Sequence, residues 1–248
     1  MKDAGRQVPN RMLWSMFLCL TRARIAMSYP PWGSVANPIE RESISPATAP
    51  LKLIHDDLHD ENIMLGGLSH SDLEHRLAPI LKPLDFGKAA QNPGADIDSA
   101  VKRNIQDIGK IMTTLVMRVY APWAEQDVVV NVRDAQGLAV PLKVYTHPRL
   151  DEVSHISTDL KDLIFRCQSV DAQERPSLEE LLQLCGNAVN NSVAQDYRGI
   201  PGYSSFWETD EAIRDLEQRV LLDADTVPAT GRRRSLPGPQ PATVSPNT

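Results

Sequence analysis

The sequence predicts an α+β protein, mainly α, in which long helices surround short β-hairpins. Apolar residues recur at helical spacing over 10–28, 105–120, 158–167 and 177–189, and 209–222 reads as a further, charged helix. Two β-branched runs, 126–133 and 138–145, flank Asp134-Ala135-Gln136-Gly137, a hairpin signal. Two shorter apolar pieces, 63–65 and 80–84, suit a pair of short strands.

Taken in order, the first helix spans 10–28, with Asn10 as its N-cap and Pro30-Pro31 ending it. Leu13, Phe17 and Leu20 form one stripe, with Met16, Ala23 and Met27 beside it. Residues 32–50 are rich in Pro, Ser and Gly and read as a loop. Leu51 to Ile54 lead into a polar loop, and Gly66-Gly67 close the strand 63–65. The polar stretch 69–76 reads as a solvated excursion, and the strand 80–84 places Asp85 just beyond its end. Residues 105–120 are so apolar that their helix belongs near the centre of the molecule. Ser177 with Glu180 is a capping box, entered through Pro176. Thr209, Asp210 and Glu211 place acids at the start of the last helix. From Val227 onward Pro, Gly, Ser and Thr dominate, which predicts a disordered tail. The expected organisation is a main unit over 1–195, a helical extension over 196–225 and the tail over 226–248.

Composition narrows the function. A chain of 248 residues can bury a substantial core. A net charge of −6 argues against a nucleic-acid partner, whose binding face is basic. Cys19, Cys167 and Cys185 are odd in number and widely separated, so they read as buried thiols of a reducing compartment. Met12 to Leu20 are too short and too interrupted for a secretory signal, and no run is long enough to span a bilayer. The expectation is an intracellular, cytoplasmic protein without a membrane partner; the short basic run Arg232-Arg233-Arg234 leaves a nuclear address as the weaker option. With Ser235, that run also has a spacing that basophilic kinases accept. His70, His75, His147 and His155 show no metal-ligand spacing and read as surface residues.

The chemistry concentrates in His55-Asp56-Asp57-Leu58-His59-Asp60-Glu61-Asn62 and in Asp85-Phe86-Gly87. Asp57 can accept or orient the proton of an attacking alcohol. Asn62 and Asp85 can ligate Mg²⁺ bridging the phosphates of a nucleotide. Further on come Asp107-Ile108-Gly109 in the most apolar helix and Arg175-Pro176-Ser177 ahead of the 177–189 helix.

In that order these motifs resemble the large, mostly helical lobe of the eukaryotic protein kinases, H-R-D-x-x-x-x-N followed by D-F-G, over roughly residues 9–193. The resemblance implies a protein-kinase-like C-lobe fold, ATP and Mg²⁺ as cofactors, and transfer of phosphate to Ser or Thr of a protein partner. It implies Asp57 as base and Asn62 and Asp85 as the magnesium and nucleotide ligands. His59 stands where Ser/Thr kinases carry a Lys that touches the transferred phosphate, and small-molecule phosphotransferases of the superfamily often have His there. His55 would pack with Phe86 beneath the metal loop, and Arg175 would pair with a Glu.

The sequence departs from the family at several places. No glycine-rich loop precedes His55, and no strand Lys or helix Glu matches, so the small lobe is missing. Asp56 replaces the usual Arg and places a like charge beside Asp57, which raises the cost of ionising both. The segment 88–103 is short and lacks Ala-Pro-Glu, leaving Arg175 without its Glu. Asn104 takes the place of the central helix's bracing Asp. Three functions stay open: a protein kinase, a non-catalytic kinase-like interaction module or gene fragment, and a small-molecule phosphotransferase of the aminoglycoside or choline kinase type.

Overall fold

The computed structural model describes residues 7–30, 41–69, 71–91, 97–118 and 125–219. The tail over 226–248, with Arg232–Arg234 and Ser235, lies outside the described residues, as does His70. What is described is α+β: five helices and three separate two-stranded antiparallel sheets.

Helix α1, Asn10–Ser28, is buried nearly all round, beyond the stripe that periodicity suggests. Leu13, Phe17, Leu18, Leu20 and Ile25 are closed to solvent, and so are Thr21 and Arg24. Its N-cap is Pro9, not Asn10; the Asn10 side chain turns to a distant part of the chain instead. Helix α2, Ile97–Met117, begins eight residues earlier than the apolar repeat indicates. Its first turns are polar in sequence, yet Ala100 and Asn104 are buried there. Both α2 and α4, Leu178–Asn191, pack on α1, and α3, Thr158–Cys167, packs on α2. At the α2–α3 crossing Gly109 lies so close that an added Cβ would meet the Cβ of Cys167 at 2.9 Å. The segment Asp107-Ile108-Gly109 therefore contains a contact that only glycine permits.

Three helices open on a hydroxyl cap, of which the sequence indicates the one at Ser177. The Ser157, Ser177 and Thr209 hydroxyls accept from the backbone N–H three residues on, opening α3, α4 and α5, Asp210–Glu217. At α4 the reciprocal half of the capping box is absent: the Glu180 carboxylate pairs with Arg166 at 2.7 Å across to α3. The last helix was expected to reach 222; residues 220–222 lie outside the described ones.

Strands β5, Gln126–Arg133, and β6, Ala139–Thr146, pair in register from Gln126↔Thr146 to Arg133↔Ala139. Asp134 closes their turn by accepting from the Gln136 and Leu138 N–H groups, with Gly137 at φ 78°. Within 69–76, read as a solvated excursion, Ser71 and Leu73 are exposed but one acid is not. Glu74 is buried and receives the Arg22 guanidinium at 2.6 Å, with Arg41 at 3.1 Å, which fastens the stretch to α1.

All three cysteines are buried free thiols. Of the histidines, His155 is half-buried against Tyr203, with ring centroids 6.3 Å apart, not a surface residue. His75 and His147 are also partly covered. Among the described residues no helix is long and apolar enough to cross a membrane.

Candidate functional site

Two short sheets hold the polar loop and the Asp85 turn together. Strand β1, Leu53–Ile54, pairs antiparallel with β4, Ala90–Gln91, so the chain before His55 lies against the chain after Gly87. Strand β2, Ile63–Leu65, pairs with β3, Leu81–Pro83, placing Ile63 opposite Pro83. The Leu84 N–H extends this ladder to the Asn62 carbonyl at 2.8 Å. Asn62 and Asp85 thus leave the same end of one ladder.

His55 is the anchor beneath both segments. It is fully buried, its Nε2 lies 2.9 Å from the Leu84 carbonyl, and its ring centroid lies 4.7 Å from that of Phe86. The contact between His55 and Phe86 is therefore present. Asn104 of α2 braces the loop from below: its Oδ1 accepts the His55 N–H at 3.2 Å and its Nδ2 donates to the Leu53 carbonyl at 2.8 Å. An amide can serve both a donor and an acceptor here, which a carboxylate could not.

Above this anchor, Asp57, His59 and Asn62 converge. The Asn62 Nδ2 donates to the Asp57 carbonyl at 2.8 Å and lies 3.1 Å from His59 Nε2. His59 Nε2 is 4.0 Å from Asp57 Oδ1. These bonds use the amide nitrogen and leave Asn62 Oδ1 as an acceptor. Asp85 takes a left-handed conformation, φ 54° and ψ 69°, and its Oδ1 accepts from the Gly87 N–H at 3.1 Å. Its second oxygen is open to a ligand. Asp57, His59 and Asn62 contact one another, and Asp85 is linked to them through the β2–β3 ladder and through Lys88 of its own turn.

Lys88 is the residue that sequence reasoning passed over. It ends the single 3-10 turn Phe86–Lys88, and its Nζ lies 2.9 Å from Asp57 Oδ1. That bond holds the Asp57 carboxyl below its ordinary range, against a smaller opposing effect of desolvation. The penalty expected from Asp56 is overridden. Asp56 adopts φ 58°, is exposed, and lies 4.0 Å from Arg103. The only sequence signal for Lys88 was its place directly after Asp85-Phe86-Gly87.

Arg175 also differs from expectation. It is buried and satisfied by main chain, donating to the carbonyls of Ser169 at 2.9 Å and Lys102 at 3.0 Å. It needs no glutamate, and it fastens the approach to α4 onto α2. A cavity of about 410 Å³ opens beside Asp57 and His59, between α2 and the β5–β6 hairpin; Asn62 and Asp85 are not part of its wall.

Among the described residues no group of three or more His, Cys, Asp or Glu side chains is placed to hold a metal ion. Asn62 and Asp85 offer two oxygens, a set that suits Mg²⁺ only when phosphate oxygens and water complete the shell. Compared with family models, curated proteins and solved structures, the chain matches none of them.

Proposed function

We propose that this chain is a protein-kinase-like large lobe and that its site moves the γ-phosphoryl group of Mg-ATP to a Ser or Thr hydroxyl of a protein. The observation that carries the reading is the convergence on Asp57: the Asn62 amide holds its carbonyl, and Lys88 of the Asp85 turn holds its carboxylate. The 55–62 loop supplies the carboxylate for an acceptor hydroxyl and one oxygen for a phosphate-bound cation, and the Asp85 turn supplies the second oxygen.

Asn62 Oδ1 and Asp85 Oδ2 would hold Mg-ATP, which supplies the transferable phosphoryl group and the charge neutralisation it needs. Asp57 orients the acceptor hydroxyl by accepting its hydrogen bond and takes its proton as the oxygen attacks. A carboxyl kept below its usual range is a weak base, so its contribution is chiefly orientation, the larger effect in phosphoryl transfer. Lys88 places a cation beside the reacting oxygens, where His59 replaces the expected lysine.

The test is Mg-ATP binding by calorimetry together with transfer of labelled phosphate to Ser/Thr peptides. Asp57→Asn should lower transfer by roughly 10²–10⁴-fold while Mg-ATP binding stays within a few-fold. Asp85→Asn should weaken Mg-ATP binding at least about tenfold, since the cation loses its one negatively charged protein ligand of this pair. Wild-type protein that neither binds Mg-ATP nor transfers phosphate would rule the reading out.

A second reading is a kinase-like interaction module without catalysis. The Lys88–Asp57 ion pair favours it, because it occupies the carboxylate that a substrate would need. In that case Asp57→Ala would leave partner binding unchanged in a pull-down of the full chain.

A further inference from the structure

The cavity beside Asp57 contains a buried carboxylate that makes no direct contact with a cation or a hydrogen-bond donor among the described residues. Asp107 is 7% exposed, lines the cavity, and has neither a hydrogen bond nor an ion pair among the described residues. Its neighbours are engaged elsewhere. Lys110, one turn along α2, pairs with Glu125 at 3.0 Å and rides over the Tyr145 ring at 5.8 Å. Arg103 lies at 4.0 Å from Asp56. A buried carboxylate without a hydrogen bond is costly, and desolvation pushes Asp107 up to about 6 against the opposing charges of Arg103, Lys110 and the buried Arg24 of α1. The cavity wall carries five carboxylates against the two cations Arg103 and Lys110, so it repels anions and attracts cations. These acids are not grouped as a metal site requires. The Tyr145 ring of the wall already holds the Lys110 cation over its face, so this part of the cavity accommodates positive charge.

We propose that this cavity is a binding site for an organic cation, a protonated amine or guanidinium received by Asp107, carried on a molecule whose hydroxyl faces Asp57. The cation site stands on the cavity alone. Delivery of the hydroxyl to Asp57 rests on the phosphotransfer reading and names the acceptor class: a hydroxyl compound with a cationic group a few bonds away. Its source is either a free amino alcohol or a basic side chain next to the acceptor Ser or Thr of a peptide. At about 410 Å³ the space holds either one.

The experiment titrates the full chain by NMR and calorimetry, without nucleotide, with 4-amino-1-butanol against 1,4-butanediol. A second arm uses N-acetyl-lysyl-serine amide against its norleucine counterpart. In at least one arm the charged probe should bind at least tenfold more tightly than the neutral one, and Asp107→Asn should abolish the difference. Preference in the first arm alone identifies a small-molecule acceptor, and in the second alone a peptide. Equal binding of charged and neutral probes in both arms, or a preference that survives Asp107→Asn, overturns the proposal. Should Asp107→Asn not fold, carboxyl ¹³C NMR of the wild type decides. Saturation with the charged probe should move the Asp107 titration downward, and no movement overturns the site. Because nucleotide is absent, a chain that binds the amine yet transfers no phosphate keeps this cavity and loses only the phosphotransfer reading.

Discussion

Lys88 and Asn104 show how much of the site depends on single side chains outside the recognisable motif. Asn104 binds two main-chain groups of the loop that precedes Asp57, from a helix some fifty residues away in sequence. Its amide is the reason the loop can be braced without a second buried charge. Lys88 acts on Asp57 by charge, and both groups are largely at the surface, so its effect belongs to titration and not to stability. Lys88→Ala should raise the Asp57 pKa toward its ordinary value, because the hydrogen bond that lowers it most is removed. Carboxyl ¹³C titration of both proteins would measure this, with the urea midpoint unchanged as the control. An Asp57 pKa indifferent to the substitution would mean that the ion pair is not populated in solution.

At the scale of elements, local chemistry was legible where it acts within a few residues. Helix α3 ends where its apolar repeat ends, the Ser177 cap sits where the sequence puts it, and the Asp134–Gly137 turn sets the hairpin register. Helix α1 starts at Asn10 as the sequence indicates, but its cap differs because the partner of its first N–H groups lies 198 residues away. Glu208, fully buried, accepts from the Asn10 N–H at 2.7 Å, the Arg11 N–H at 2.9 Å and the Tyr203 hydroxyl at 2.7 Å. A carboxylate thereby satisfies the free N–H groups at the positive end of α1. The segment expected as a separate extension from residue 196 is thus fastened to the first helix. Glu208→Gln keeps one acceptor but removes the charge and the second, and should cost about 1–3 kcal/mol. Urea denaturation would measure the loss, and limited trypsin digestion should then cut first after Arg198. A variant as stable as the wild type, with Arg198 still protected, would show that the segment is held by apolar contacts such as Ile213 alone.

For the molecule as a whole, helix and strand order could be read from periodicity, but burial of individual charges could not. Which face of α2 turns to a cavity depends on rotation against α1 and α3, so Asp107 read as part of a helix motif and not as an orphaned acid. Two buried acids and a half-buried histidine make opposing contributions to the pH response of stability. Burial pushes Asp107 from its ordinary 3.8 up to about 6 and Glu217 from 4.5 up to about 7. Each binds its proton more tightly when folded, so each withdraws stability as pH rises through its window, and the loss persists above it. His155 runs the other way. Burial lowers it from 6.5 to about 4, so the unfolded chain takes up its proton first and stability is lost as pH falls through that range. The opposing effects overlap between pH 4.5 and 6, and above pH 6.5 only the Glu217 loss continues. Glu217→Gln and Asp107→Asn should therefore each raise the urea midpoint at pH 8, with the gain shrinking at pH 4, where both native carboxyls are already protonated. His155→Gln should show the reverse, protecting the protein at pH 4 and changing little at pH 8. If the two acid variants gain equally at both pH values, their advantage comes from packing, and the buried carboxyls do not govern the pH response.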